Sequence, residues 1–460
     1  MRRPGKALAF LALLAAGPAS AQAPSEAELY DRALAAGYKA QFLCSGLWNG
    51  GRTRDQIERD ELTGIYDRIS AIVPTLPAEI DEERDQVRVR FAEDMPPRVA
   101  QWRDALGCAS LPIGAEPEAG ARVPAFATTN GIQTFDGRLW PMGDRDAEAA
   151  RPRSGTALDR TVSDALNNHF GGRSSAVLVV QGGLILAEIY KEGYDLHTSQ
   201  RTWSVAKSMA GTLIGHAVQR GLIRTDAAAN LAAWRGPGDP RAAITFDQLM
   251  RMASGLTSDT AGNRTDDLYM GGTAVADRAP LWPLLHPPGS RYRYANNDTL
   301  LATMALLERL PEDERLGFPL TFFRRLGMTR TIAETDWQGD FILSSQVWTT
   351  TRDLARLGIL YLNDGIWEGE RLLPEGWRDY VTRPSGPQPE GAFGYGATFW
   401  LMNRSEGVPP DAFAAFGNRG QYLVIVPSRL LVVVRRGYDT SDERFDIAAF
   451  TRAVVAALES

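Results

Sequence analysis

Ser204 and Lys207 stand three residues apart in the run Trp203-Ser204-Val205-Ala206-Lys207. Residues at i and i+3 of a helix share a face, so the amine can reach the hydroxyl. A serine hydroxyl is a weak nucleophile until a base removes its proton, and a desolvated lysine can be that base. Arginine cannot, because its guanidinium keeps its proton in a protein. Of 50 basic residues only four are lysines: Lys6, Lys39, Lys191 and Lys207. A chain that uses arginine almost everywhere keeps a lysine at 207. The start of a helix at 204 also offers unpaired N–H groups and the positive dipole end to a developing oxyanion. A purely structural role, with Ser204 as helix cap and Lys207 in a solvated first turn, uses the same spacing. The choice of lysine counts against it.

Two further segments carry side chains of matching chemistry. Tyr294-Ala295-Asn296 puts a phenol and an amide two residues apart, on one side of an extended stretch. A tyrosine beside a lysine cation can have its pKa lowered and relay protons, and the asparagine can hold the lysine or a substrate carbonyl. Ala415-Phe416-Gly417-Asn418-Arg419-Gly420-Gln421 leads into an apolar strand. Glycines there let substrate lie against a strand edge, and a backbone N–H can complete an oxyanion hole. A core tyrosine and an ordinary hairpin loop would read the same in isolation. His169, His197, His216 and His286 are scattered, and no Cys-x-x-Cys or His-Glu-x-x-His spacing occurs, so neither a metal nor a cofactor is expected.

Elements must bring these segments together. The helix opening at Ser204 has apolar positions Met209, Leu213, Ile214, Ala217 and Val218, and ends at Gly221. Upstream, the runs AVLVV and LILAEIY within 174–190 flank Gly182-Gly183, a hairpin signal. Helical patterns dominate from 204 to about 362. Strand patterns return at 394–400, 421–426 and 430–436, and an amphipathic helix closes at 445–458. Strands, a long helical insert, then strands and a helix imply a sheet assembled from both ends of the domain. Residues 22–110 read as a separate N-terminal unit, with a helix at 27–40, a strand within 85–91 and a helix at 96–106. Residues 111–154 are rich in Gly, Pro, Asp and Ala and read as a linker.

The order and distances of the three segments resemble the penicillin-recognising serine hydrolases. Phe246-Asp-Gln-Leu-Met250 before Ala253-Ser254-Gly255-Leu256 resembles that family's helix and Ser-Gly-Leu turn. TTTRDLARLG at 349–358, Tyr361-Leu-Asn-Asp-Gly365 and Leu372-Leu-Pro374 resemble the region before its last strands. The similarity runs over 155–460, nearest to class C β-lactamases, their esterase relatives and 6-aminohexanoate-dimer hydrolases. It implies an α/β (α+β) fold: an antiparallel sheet flanked by helices, a mostly helical subdomain, and the small N-terminal unit in front. It implies that Ser204 is acylated, Lys207 is its base or base partner, Tyr294 protonates the leaving group and Asn296 orients Lys207. The N–H groups of Ser204 and Asn418 would form the oxyanion hole beside Gly417. One departure is plain. The family's third segment usually reads Lys-Thr-Gly or His-Thr-Gly, and here it reads Ala415-Phe416-Gly417. The lost cation speaks against β-lactam processing, unless Arg419 folds back to supply it.

The function expected is therefore an exported hydrolase of an ester or amide. A D,D-peptidase or weak β-lactamase, and a non-catalytic binding protein on the same scaffold, are the alternatives. No Gly-x-Ser-x-Gly elbow supports a different serine-hydrolase fold. Arg2, Arg3 and Lys6, an apolar run and Ala19-Ser20-Ala21 read as a cleaved signal peptide over 1–21, giving a periplasmic or secreted product. No other stretch is apolar enough to span a bilayer, so no stable membrane insertion is expected after its removal. In an oxidising compartment the only two cysteines, Cys44 and Cys108, are expected to pair. Net charge of -6 leaves no basic footprint for nucleic acid. The partner is a small ester, amide or peptide-like substrate.

Overall fold

A computed structural model describes residues 24–126, 134–147, 155–257 and 265–459. The expected signal peptide and parts of the 111–154 segment lie outside these residues. Among the described residues no helix is long and apolar enough to cross a membrane.

A seven-stranded antiparallel sheet is the centre of the molecule. In order across it run Gly394–Tyr395, Trp400–Leu401, Phe413–Gly417, Gln421–Val426, Leu431–Gly437, Ser174–Gln181 and Leu184–Tyr190. The two ends of the domain meet where Val433 pairs with Val179. Gly182 and Gly183 both have positive φ, 57° and 84°. That is the backbone a two-residue hairpin requires, and it suits glycine.

Alternation along the strands feeds two layers. Val177, Val179, Val424 and Val433 face the helices Ala157–Leu166 and Ile447–Glu459, where Leu158, Val162 and Phe450 meet them. Leu178, Val180, Leu423, Val432 and Val434 face the other way, toward Met209, Leu213 and Leu357 on the helices Val205–Gln219 and Thr351–Leu362. Gly358 is required at that contact, because a Cβ there would lie 2.6 Å from Val432 Cγ1. The helix Asn296–Leu307 packs against the helix carrying Lys207.

The N-terminal residues build their own four-stranded antiparallel sheet, Ala78–Asp81, Gln86–Val89, Arg98–Arg103 and Gly107–Ser110 in that order. The helix Glu26–Trp48, opened by a Ser25/Glu28 capping box, lies against it. Its apolar side chains belong to the same hydrophobic cluster as Met209 and Leu213. The expected helix over 96–106 is instead the strand Arg98–Arg103. Pro96-Pro97 prevents a helix from running in, and residues 98–103 find partners on both sides. Cys44 and Cys108 are disulfide-bonded, joining the helix to the last strand. Beside the bridge, Glu334 accepts from Ser45 Oγ (2.6 Å), Asn49 Nδ2 (2.7 Å) and the Cys108 N–H (3.0 Å). A carboxylate from one part of the chain thus satisfies donors of another. Burial holds its pKa up.

Candidate active site

Ser204 is the residue just before the helix Val205–Gln219, and its hydroxyl does not cap that helix. Lys207 Nζ donates to it instead, at 2.9 Å. Nζ also donates to Asn296 Oδ1 at 2.6 Å and to the Ser344 carbonyl at 2.7 Å. Three acceptors fix the amine, and none of them is a carboxylate. Asn296 is the first residue of its helix, and its Nδ2 donates to Thr265 Oγ1 at 3.3 Å. That bond sets the amide's orientation, leaving the oxygen for lysine.

Lys207 is 1% exposed, and burial pushes its pKa well below the ordinary lysine value. The Arg201 guanidinium adds to the same effect. Arg201 is itself an unusual neighbour. It is buried, its Nη2 donates to Ser345 Oγ at 2.7 Å, and its Nε and Nη1 have no hydrogen-bond partner among the described residues. It is stacked instead against aromatic faces, 3.5 Å from the Trp203 centroid and 4.2 Å from that of Phe42. Arg201 and Lys207 therefore hold adjacent residues of one chain segment, Ser345 and Ser344. Trp203 carries a φ of 50°, a left-handed conformation that costs a bulky residue of order 1–3 kcal/mol. Packing by Arg201 and, edge-on, by Tyr66 at 6.3 Å retains it.

Tyr294 lies over the other side of Ser204. Lys207 Nζ is 5.1 Å from its ring centroid, and its hydroxyl interacts with Ser204. The expected lowering of the phenol's pKa does not occur; burial raises it. Burial of the phenol outweighs the Ser204 hydrogen bond, which acts to lower it. Tyr294 packs against Trp400 at 5.4 Å and Tyr395 at 6.1 Å. Phe416 stacks on Trp400 at 5.8 Å.

Gly417 brings the edge of the strand Phe413–Gly417 against the nucleophile. A Cβ at this position would lie 2.2 Å from the Thr202 carbonyl and 3.3 Å from the Ser204 nitrogen, so only glycine fits. Among the described residues neither the Ser204 N–H nor the Asn418 N–H has a hydrogen-bond acceptor. Arg419 departs from expectation, being neither solvated nor available to a substrate acid. It is 5% exposed and donates to the carbonyls of Asp60 (2.8 Å) and Thr63 (2.7 Å).

Ser344, Arg201 and Trp400 are parts of the site that the sequence did not single out, and Trp203 figured there only as the first residue of the Ser204 run. One group, Asp136, Asp144 and His197, brings metal-ligand atoms within 4.8 Å of one another among the described residues. Its carboxylates are matched by Arg330 and Arg356, at 2.6 and 2.8 Å, as an ion-pair network would be.

A nucleophile serine, a lysine on the same helix, a tyrosine and a glycine-edged strand define the class. The Beta-lactamase family model matches residues 158–457, and the chain belongs to that family of hydrolases. Among its relatives is the 6-aminohexanoate-dimer hydrolase of Paenarthrobacter ureafaciens, 26% identical over 329 residues, 64% of this chain and 78% of that protein. A Bacillus anthracis structure assigned to the 6-aminohexanoate-dimer hydrolases shares the fold with a TM-score of 0.54 and 21% identity, over 65% of this chain and 80% of that one. EstCE1, a hydrolase with promiscuous acyltransferase activity, gives a TM-score of 0.52 and 14% identity, over 66% and 98%. The antiparallel sheet between helices expected from the residues is the fold of these proteins.

Proposed function

We propose that this chain is an exported serine hydrolase that cleaves an ester or amide through an acyl-enzyme on Ser204. The observation that carries this reading is the hydrogen bonding of Lys207 with Ser204 Oγ, Asn296 Oδ1 and the Ser344 carbonyl, with no anion among the described residues to hold the amine charged. In its neutral form Lys207 keeps two N–H groups, on Asn296 Oδ1 and the Ser344 carbonyl, so its lone pair faces Ser204 Oγ, accepts from the hydroxyl and takes its proton as Oγ bonds the substrate carbonyl carbon. The oxyanion that forms is stabilised by the Ser204 N–H at a helix start and the Asn418 N–H just past the strand Phe413–Gly417. Collapse breaks the bond to the leaving group, and the proton passes from Lys207 through the Tyr294 phenol to that group's oxygen or nitrogen. Water then releases the acid by the reverse proton path. A phenol with a raised pKa suits a donor rather than a phenolate base.

Substrate preference follows from the third segment. Ala415 and Phe416 offer no cation, and the Arg419 N–H groups already serve backbone carbonyls. A substrate carboxylate entering there would lose its water without gaining an ion pair. Neutral esters and amides should therefore outperform penicillins and other acid-bearing substrates. The kinship with a 6-aminohexanoate-dimer hydrolase supports the hydrolase reading, including an amide as one substrate class. D,D-peptidase or weak β-lactamase activity is the alternative. The test is a panel of chromogenic esters, short amides and β-lactams, with intact-mass spectrometry. A Ser204 adduct from neutral substrates supports the reading. An absence of any adduct, or turnover that survives Ser204→Ala, overturns it.

A further inference from the structure

Next to the nucleophile lies a cleft of about 770 Å³ whose far wall comes from the N-terminal residues. Gly417, Asn418 and Trp203 line it together with Ile65, Tyr66 and Ser70. Its volume is that of a small-molecule site. Nothing in the proton-transfer chemistry uses it.

We propose that this cleft is the acyl-side subsite, and that it takes an acyl group with an aromatic or aliphatic body; the inference rests on the acyl-enzyme reading above. The side is fixed by the position of the proton donor. A leaving group must receive its proton at Tyr294, whose ring belongs with Tyr395, Trp400 and Phe416 in one aromatic cluster. None of those four residues lines the cleft. The second substituent of the same carbonyl carbon points away from the first, toward Trp203 and Asn418. The cleft begins there. Ile65 and the rings of Tyr66, Trp203 and Tyr422 give it an apolar share, and the charged Asp67, Arg419, Asp439, Asp442 and Arg444 line it as well. Apolar surface flanking a reacting carbonyl favours an acyl chain that leaves water there.

The wall is held in place rather than merely nearby. Arg419, from the hairpin that follows Gly417, donates to the carbonyls of Asp60 and Thr63. Arg52 bridges Glu61 (3.1 Å) and the Tyr438 hydroxyl (2.8 Å). Tyr66 sits edge-on to both Trp203 and Tyr38, at 6.3 and 6.1 Å. Prior fixing of a subsite reduces the ordering that binding would otherwise demand. This assigns the N-terminal residues a part in substrate choice.

The experiment uses the full chain and p-nitrophenyl esters, so that the leaving group stays constant while acetyl is compared with phenylacetyl. The wild-type chain should favour phenylacetyl in kcat/KM by at least about tenfold. Tyr66→Ala should cut that ratio at least about fivefold, and Ser70→Trp, which fills the cleft from a partly exposed helix position, should invert it. A second series, acetyl esters of phenols of different acidity, should show the same leaving-group dependence in all three proteins. A ratio near one in the wild-type chain, a ratio that neither variant moves, or a change in the leaving-group series instead overturns the subsite. Intact-mass spectrometry separates the two levels. A Ser204 adduct with unmoved selectivity removes this inference alone, whereas no adduct on Ser204 removes the acyl-enzyme reading and the subsite with it.

Discussion

Lys39 and Lys207 are both buried lysines, 4% and 1% exposed, and both have lowered pKa values. Each donates to backbone carbonyl oxygen and each has a guanidinium that adds to the lowering, Arg54 for Lys39 and Arg201 for Lys207; they differ in the anion and the hydroxyl. Lys39 donates to the carbonyls of Val73 (3.3 Å) and Leu76 (2.8 Å) and has Glu58 at 3.9 Å, whose charge works against the lowering. Lys207 has no carboxylate within ion-pair distance among the described residues, a cation in Arg201, and a serine hydroxyl among its acceptors. Burial alone therefore does not make a base. Removing the anion moves a buried lysine toward neutrality, and a hydroxyl within reach gives the neutral amine something to do.

The largest expected effect comes from making position 207 resemble an ordinary cation. Lys207→Arg keeps the charge and cannot lose its proton, so acylation should fall by the roughly 10²–10⁴ typical of general-base removal. Stopped-flow acylation by an activated ester reads it; near-wild-type rates would mean that charge, not proton transfer, is the role. Next in size is the tie between the N-terminal helix and its sheet. Opening the Cys44–Cys108 bridge, which closes a loop of 64 residues, should lower stability by on the order of 4 kcal/mol in the chain-entropy model. Chemical unfolding of the oxidised and reduced chain checks this, and unchanged midpoints would contradict it. Alkylation without reduction should label neither cysteine.

Lys39→Met sharpens the comparison from the other side. It leaves buried carbonyls without their donor, for a loss of about 1–3 kcal/mol, while the pH profile of acylation should stay where it was. Denaturation and rate profiles on one preparation decide; a displaced profile would show that Lys39 is not merely structural. The smallest effect is electrostatic. Arg201→Gln removes a positive charge near Lys207, so the base holds its proton to higher pH and the acid limb of acylation moves upward. Arg201→Lys should restore part of the shift. A limb that ignores both variants would leave Lys207's state to burial alone.

The residues that touch one another through local spacing were legible in the sequence. Ser204 and Lys207 meet because they lie three apart at a helix start, and Gly182-Gly183 marked its hairpin by composition. Tyr294, Asn296 and Gly417 were readable as a set, through the order of segments, though not from any one segment. What was not legible depended on distant partners. Ser344 holds Lys207 from 137 residues away with a backbone carbonyl, which no side chain advertises. Arg419 looked solvated or free because the carbonyls that bind it belong to residues 60 and 63, about 360 positions earlier. Within the expected helix, residues 98–103 become a strand because neighbours on both sides pair with them, which overrides a short helical pattern. The phenol of Tyr294 was expected to be acidified beside a lysine cation, and its own burial raises its pKa instead.

The central claim is that Lys207 is neutral when it meets the substrate, and the most direct measurement is the pre-steady-state acylation rate as a function of pH. With a neutral ester that does not titrate, a base whose pKa is pushed well below the ordinary lysine value gives a rate that rises with pH and levels off well below that ordinary value. A rate that keeps climbing in proportion to hydroxide toward the ordinary lysine pKa of about 10.4 would mean that Lys207 enters the reaction charged, and would contradict the account.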